Sequence, residues 1–412
     1  MAAVSRPSRV AARWSDGGGL LVLLLVAGTL FAVGDHTFTQ SVSSDVALYR
    51  HYASAALAPP VLHALPREYP AAALAAFLPG EAVPAHYALG FAVLAAFAVV
   101  LLVLSSDGLE RHPGWSHRVC VYMIAGTVVV VFARYDIFPA LAGFLAVEGA
   151  RRGRWGRAWA WAAVGGLLKL FPFLLLPGFV LVERAHTGKW PVRRALAAGG
   201  AVGLFVLGQF VVAPASLLSP VSYEMRRGFE LSSLPGSLTL LVDPLHVEWG
   251  MAFGSTEVVG GVHAVIAAVA TVAMVLGLLF VWVLANKRRL PVEVVSLAVL
   301  SVVVLTNKAF AAQYLIWLVP FWAYWPMRRG WVAAAALTTL VYPLLYEEAH
   351  IWGPGFYLAT AVAALRNVVL VVATVRWLAE QLRREGDRAI ERSPDFETGP
   401  VQIAERPSVM AG

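Results

Sequence analysis

Asp45 and Tyr49 stand four residues apart in "DVALYRHY" (45–52), shortly after the first apolar run, so a helix would set both on one face. A carboxylate placed there can take the proton of an attacking hydroxyl beside a lipid phosphate. It can equally be an N-cap, because "SSD" precedes an amphipathic run. Arg134, Lys169, Arg226, Arg227 and Lys308 each stand next to the end of an apolar run. Fixed cations in a poorly hydrated cleft stabilise a departing phosphate as its negative charge grows. Gln313 and Tyr314 open another apolar run with neutral donors and acceptors suited to sugar hydroxyls, although Tyr314 also fits an interfacial anchor. Plainer roles exist for the charged residues too. Arg134 and Asp136, two apart, can pair with each other; Arg227 and Glu230, three apart, suit a helix-surface ion pair; Lys169 can snorkel to the interface. His350, next to Glu347 in "YEEAH", closes the set, and Arg366 lies alone inside an apolar run, where a charge requires a partner. The chain contains no HExxH, CxxC, DxD or Walker-type sequence, which argues against metal, nucleotide or other cofactor chemistry.

The elements that must position these residues are apolar. The chain has 412 residues, 59% hydrophobic and 14% charged, with a mean hydropathy of +0.70. That leaves too little polar surface for a protein surrounded by water. The expectation is an all-α polytopic membrane protein with about twelve transmembrane or re-entrant segments, several of them shorter than the ~20 residues of a straight crossing. An amphipathic helix is expected in the first outer loop, with Val46, Tyr49, Ala53, Ala56 and Leu57 on its apolar face. "YPAAALAAFLP" (69–79) is too short to cross and reads as interfacial or re-entrant. The organisation expected is a basic N-terminus at 1–16, a membrane domain at 17–380 and a disordered tail at 381–412. Tryptophans such as Trp155, Trp159, Trp161, Trp322, Trp325 and Trp377 fall near expected interfaces and read as anchors. The single cysteine, Cys120, excludes an intrachain disulfide.

Charge orients the chain. Clusters such as "RRGRWGR", "NKRR" and "MRRG" fall in loops of one face, which the positive-inside rule makes cytoplasmic along with both termini. The basic balance then reflects orientation and contact with anionic lipid, not nucleic acid. The other face carries short ionisable knots at its turns: the Asp45 segment, "PREYP" (66–70), "ARYDIFP" (133–139), "LLKLFP" (167–172), "YEMRRGFELSS" (223–233), "DPLHVEW" (243–249), "NKAFAAQY" (307–314) and "YEEAH" (346–350). Their recurrence on the face otherwise poor in cations predicts an anion site there.

Taken in order, Asp45-x-x-x-Tyr49, Tyr69-Pro70, "RYDIFPALAGFLA", "AWAAVGGLLKLFPFLLLP", "RRGFELSS" and "NKAFAAQYLIWLVP" resemble glycosyltransferase family 87, polyprenyl-phosphate-mannose-dependent mannosyltransferases of the GT-C membrane fold. The resemblance spans residues 17–380. It implies inverting transfer of a hexose, most simply mannose, from a polyprenyl-phosphate donor to a glycolipid or glycan outside the cytoplasmic membrane, with Asp45 as base. Under it Tyr49, Arg134, Asp136, Lys169, Arg227, Glu230, Lys308, Gln313, Tyr314 and His350 are expected to bind substrate, with membrane lipid around them and no cofactor beyond the donor itself. Where the family carries histidine, this chain has Lys308 and Gln313, and the family's Tyr-Pro-Pro reads Tyr69-Pro70-Ala71. A lipid-linked sugar flippase or transporter is the alternative class.

Overall fold

The computed structural model describes residues 9–33, 36–62, 65–105, 114–243, 245–345 and 354–391. Each expected apolar run contains a helix, but among the described residues only four helices are long and apolar enough to cross a membrane: Pro84–Leu104, Val192–Val212, His263–Arg288 and Phe356–Asp387. On Val192–Val212 the apolar side chains point outward, Leu196 70% and Val211 75% exposed. Such a surface is favourable in lipid and costly in water. The chain is therefore a membrane protein.

A set of shorter helices forms the interior. Trp115–Gly126, Ile137–Arg151, Trp155–Leu168, Val292–Thr306, Leu315–Trp322 and Arg329–Thr339 surround one apolar core. Small residues let these backbones approach closely. A Cβ on Gly149 would lie 3.1 Å from the Ala158 nitrogen, and one on Gly126 3.0 Å from the Ala335 Cα. Trp322, Trp331 and Trp377 are fully buried and Trp325 nearly so, with Trp322 stacked on Trp331 at 5.5 Å. Trp322, Trp325 and Trp377 are thus core residues, not the interfacial anchors expected.

Three further expectations are corrected. The fold is not all-α: β1 (Phe229–Glu230), β3 (Ser255–Gly260) and β2 (Val247–Ala252) form an antiparallel sheet in that order. The β2–β3 turn is Phe253-Gly254, both at positive φ (52° and 72°), the geometry of a two-residue hairpin. A phenylalanine in place of the usual Asn or Asp hides that turn in the sequence. Asp45 is not a helix cap, since its helix runs from His36 to Leu57 and leaves it in the interior. Val46, Tyr49, Ala53 and Ala56 are buried along that helix as expected, whereas Leu57 is exposed. Finally, the last helix passes the expected boundary at 380 and continues to Glu391, with Gln381 buried and accepting a bond from Trp325 Nε1 at 3.2 Å.

The short helices sort their charges by end. Arg151 and Arg152 bind Glu148, to which Tyr324 also donates, and Arg118 Nε donates to the Ala323 carbonyl. The opposite ends of the same helices carry Asp136, Thr127 and Tyr314, of which Tyr314 lines a cavity.

Candidate functional site

A cavity of about 750 Å³ opens where Asp45, Glu68, Arg134, Lys169, Glu224, Arg227, Glu230, Gln313, Tyr314, Tyr342 and Arg366 meet. Asp45 and Arg366 project from within their helices, whereas several of the others come from the end of an element. The helix Trp155–Leu168 stops before Phe171-Pro172, and Lys169 takes extended backbone (φ −152°, ψ 137°) as its C-cap. Arg227 is the extended C-cap of Ser219–Arg226. Asp136 begins Ile137–Arg151, and Gln313 with Tyr314 forms a single 3₁₀ turn ahead of Leu315–Trp322. Tyr342 is extended (φ −133°) and interrupts its helical segment.

The cations come already paired. Arg134 binds Asp45 and donates from Nη2 to the Tyr342 hydroxyl at 3.3 Å. Lys169 Nζ donates to Asp136 Oδ1 at 2.7 Å, as does Trp317 Nε1. The ammonium is 5.0 to 5.3 Å from the rings of Tyr135, Tyr314 and Trp317, which attract it through their π faces. Arg227 Nη2 donates to Glu257 Oε1 at 2.7 Å and to Ser255 Oγ at 2.8 Å, with Glu224 and Glu230 at 3.8 and 3.9 Å. The local pairs suggested by spacing are thus displaced by long-range ones: Arg134 pairs with Asp45, not Asp136, and Arg227 principally with Glu257, not Glu230. Asp45 keeps 28% of its side chain exposed, so it remains reachable from the cavity.

Electrostatics at the Arg227 corner follow from crowding. Burial alone lowers the Arg227 guanidinium, but Glu230, Tyr314, Glu257 and Glu224 outweigh it and hold it above its ordinary value. Burial pushes the Glu230 carboxyl above its ordinary 4.5, against the opposing pull of Arg227 and the Ser232 hydroxyl, which donates to Oε1 at 2.7 Å. Linkage fixes the sign. A raised acid holds its proton more tightly when folded, so its stabilising contribution is complete below the unfolded pKa and is lost as pH rises through the folded one. Glu230→Gln is therefore expected to raise the unfolding midpoint at pH 8 and leave it nearly unchanged at pH 4, measured by thermal scanning in detergent. Gly236 holds this corner in place, since a Cβ there would lie 2.2 Å from the Glu230 carbonyl oxygen. Gly236→Ala must displace that backbone and should cost about 1–3 kcal/mol in the same measurement.

Of the residues expected to bind substrate, Arg134, Lys169, Arg227, Glu230, Gln313 and Tyr314 line this cavity with Asp45. Tyr49, Asp136 and Lys308 do not. Tyr49 is fully buried behind Asp45, its hydroxyl 3.5 Å from Asp45 Oδ2 and its ring stacked on Phe77 at 4.5 Å. Asp136 stands behind Lys169. The Lys308 amine faces the carbonyls of Met225 (3.4 Å) and Arg227 (3.5 Å), while its own carbonyl accepts from the Glu230 amide at 2.9 Å. His350 lies outside the described residues.

Other lining residues escaped the sequence reading. Glu68 and Glu224 belong to knots already marked, but nothing in their spacing separated them from neighbours. Glu68 accepts from Tyr52, whose hydroxyl burial and that bond push up to about 12. Ser255, and Glu257 behind it, reach the site only because the hairpin folds back, and Tyr342 only because its helical segment breaks. Arg366, left without a partner by sequence, contacts the Phe310 ring at 3.9 Å and the carbonyls of Ser232 and Phe310. Neither the protein-family models nor the curated proteins contain a match to this chain.

Proposed function

We propose that this chain is a membrane glycosyltransferase of the GT-C type, similar to family 87, transferring a hexose such as mannose from a polyprenyl-phosphate donor to a glycolipid or glycan. The observation that carries the reading is the convergence of Asp45, Arg134, Lys169, Arg227 and Gln313, from five separate segments, on one cavity. On this reading about twelve segments cross or re-enter the cytoplasmic membrane, the termini are cytoplasmic and the cavity faces outward, which agrees with the arginine-rich opposite helix ends.

The chemistry is a single displacement. The acceptor oxygen attacks the anomeric carbon, the bond from that carbon to the phosphate oxygen breaks with its electron pair on the phosphate, and the acceptor proton passes to an Asp45 oxygen. Inversion follows from one in-line step. Because Arg134 binds Asp45, the acceptor hydroxyl shares that carboxylate with the guanidinium, which holds it in place for proton transfer. Lys169 and Arg227 offset the phosphate charge while keeping Asp136 and Glu257 as partners. Gln313 and Tyr314 suit sugar hydroxyls.

The test is transfer of radiolabelled hexose from polyprenyl phosphate to a lipid-soluble glycan by purified protein in proteoliposomes. A new glycosidic bond is expected. Movement of the labelled lipid across the bilayer with no new bond would replace the enzyme reading by that of a flippase.

A further inference from the structure

One cavity cation differs from the rest. Arg134, Lys169 and Arg227 each have a carboxylate within 4.0 Å, whereas Arg366 has none among the described residues. Arg366 is 1% exposed, inside an apolar helix, and it lines the cavity. Its guanidinium is held by neutral acceptors. Nε and Nη2 donate to Asn367 Oδ1 at 3.2 and 3.0 Å, Nη2 also donates to the Ser232 carbonyl, and Nη1 donates to the Phe310 carbonyl at 3.4 Å. The Phe310 ring covers its face. An arginine has five N–H groups, and these contacts leave one, on Nη1.

The side chain is thus rigidly held, while its charge is not neutralised. Carbonyls and a ring solvate a cation without cancelling it, and a buried cation without a counter-ion is costly unless a ligand supplies one. Glu230, the acid whose charge reaches Arg366, accepts from Ser232 and is disfavoured as an anion by burial. An incoming anion at Lys169 or Arg227 must share the cation with an existing carboxylate. At Arg366 it meets an open charge.

We infer that Arg366 is the primary anchor for the phosphate of a lipid phosphate ester in this cavity; on the proposed function, which this inference deepens, that phosphate is the donor's, a diester before transfer and the departing lipid monoester after it. The charge that binds the phosphate is then distinct from the ion pairs of Lys169 and Arg227, which adjust around it.

The experiment uses the full chain in phosphatidylcholine nanodiscs, with decyl phosphate and inorganic phosphate as probes and calorimetric titration as readout. Wild type is expected to bind decyl phosphate more tightly than inorganic phosphate. Arg366→Gln should weaken decyl phosphate at least about tenfold, the scale of one lost charged hydrogen bond, and Lys169→Gln should weaken it less. If Arg366→Gln does not fold, Arg366→Lys decides: a single ammonium cannot hold the two carbonyls and a phosphate together, so weakening by several-fold is expected, and unchanged affinity overturns the inference. Equal binding by Arg366→Gln and wild type, with loss in Lys169→Gln, also overturns it while leaving the donor reading intact. Equal affinity for both probes overturns the lipid assignment. Wild type that binds neither probe removes the donor reading itself.

Discussion

Asp45→Asn is expected to abolish hexose transfer, by about 10²–10⁴-fold in kcat, the range for loss of a general base. The amide keeps the size of the carboxylate and can still accept from Tyr49, but it has no negative charge for the arriving proton. It also strands Arg134, whose side chain is 7% exposed and whose carboxylate partner is Asp45. Stability and turnover must therefore be separated. The double variant Asp45→Asn with Arg134→Gln removes the stranded cation and should recover most of the lost unfolding temperature without recovering transfer. Donor binding, measured with decyl phosphate, should survive in Asp45→Asn. Normal turnover by the single variant would remove Asp45 from the chemistry, and transfer restored along with stability in the double variant would make its role structural.

Asp136→Ala carries the largest expected cost to stability. Asp136 is 2% exposed, and one of its oxygens accepts from both Lys169 Nζ and Trp317 Nε1 at 2.7 Å. Removing the carboxylate leaves a largely buried ammonium and an indole N–H without their acceptor, a loss of about 3–5 kcal/mol for a broken buried pair. Trp317 stacks on Phe171 at 4.1 Å and on Tyr314 at 4.3 Å, so the displacement spreads to the cavity wall. Asp136→Asn should cost less, because its amide oxygen still accepts from Trp317. Thermal unfolding of the two variants in detergent provides the measurement, with Lys169→Met as the control. If Asp136 acts through Lys169, Asp136→Ala combined with Lys169→Met is less destabilised than the sum of the single changes. Strict additivity would show that the pair does not function as a unit.

Much of the site was legible as a list of turns. Every cavity residue among Asp45, Arg134, Lys169, Arg227, Glu230, Gln313 and Tyr314 stands in a polar knot that interrupts apolar sequence, and such interruptions are rare enough in a chain of this composition to mark a surface. The pairing of those residues was not legible. Spacing suggested Arg134 with Asp136 and Arg227 with Glu230, because sequence exposes only neighbours along one helix. The actual partners, Asp45 and Glu257, arrive from segments 89 and 30 residues away, respectively. Lys308 is the converse case. It reads like the other cations, yet its amine faces the carbonyls of Met225 and Arg227 and does not line the cavity.

Composition and hydrophobic patterning by themselves determined that this protein lives in a membrane, where its apolar helices lie and which turns hold its scarce charges. These are properties of local segments meeting lipid or water, and they need no knowledge of what packs beside them. Only the tertiary structure decided which helices are long enough to cross, that β1, β2 and β3 form a sheet, and that Arg366 lines the cavity with no carboxylate within 4.0 Å among the described residues. Those outcomes depend on contacts between distant segments, such as Gly149 against Ala158 or Arg366 against Ser232 and Phe310. Packing sets the direction of each charged side chain, and direction separates a binding group from a structural one.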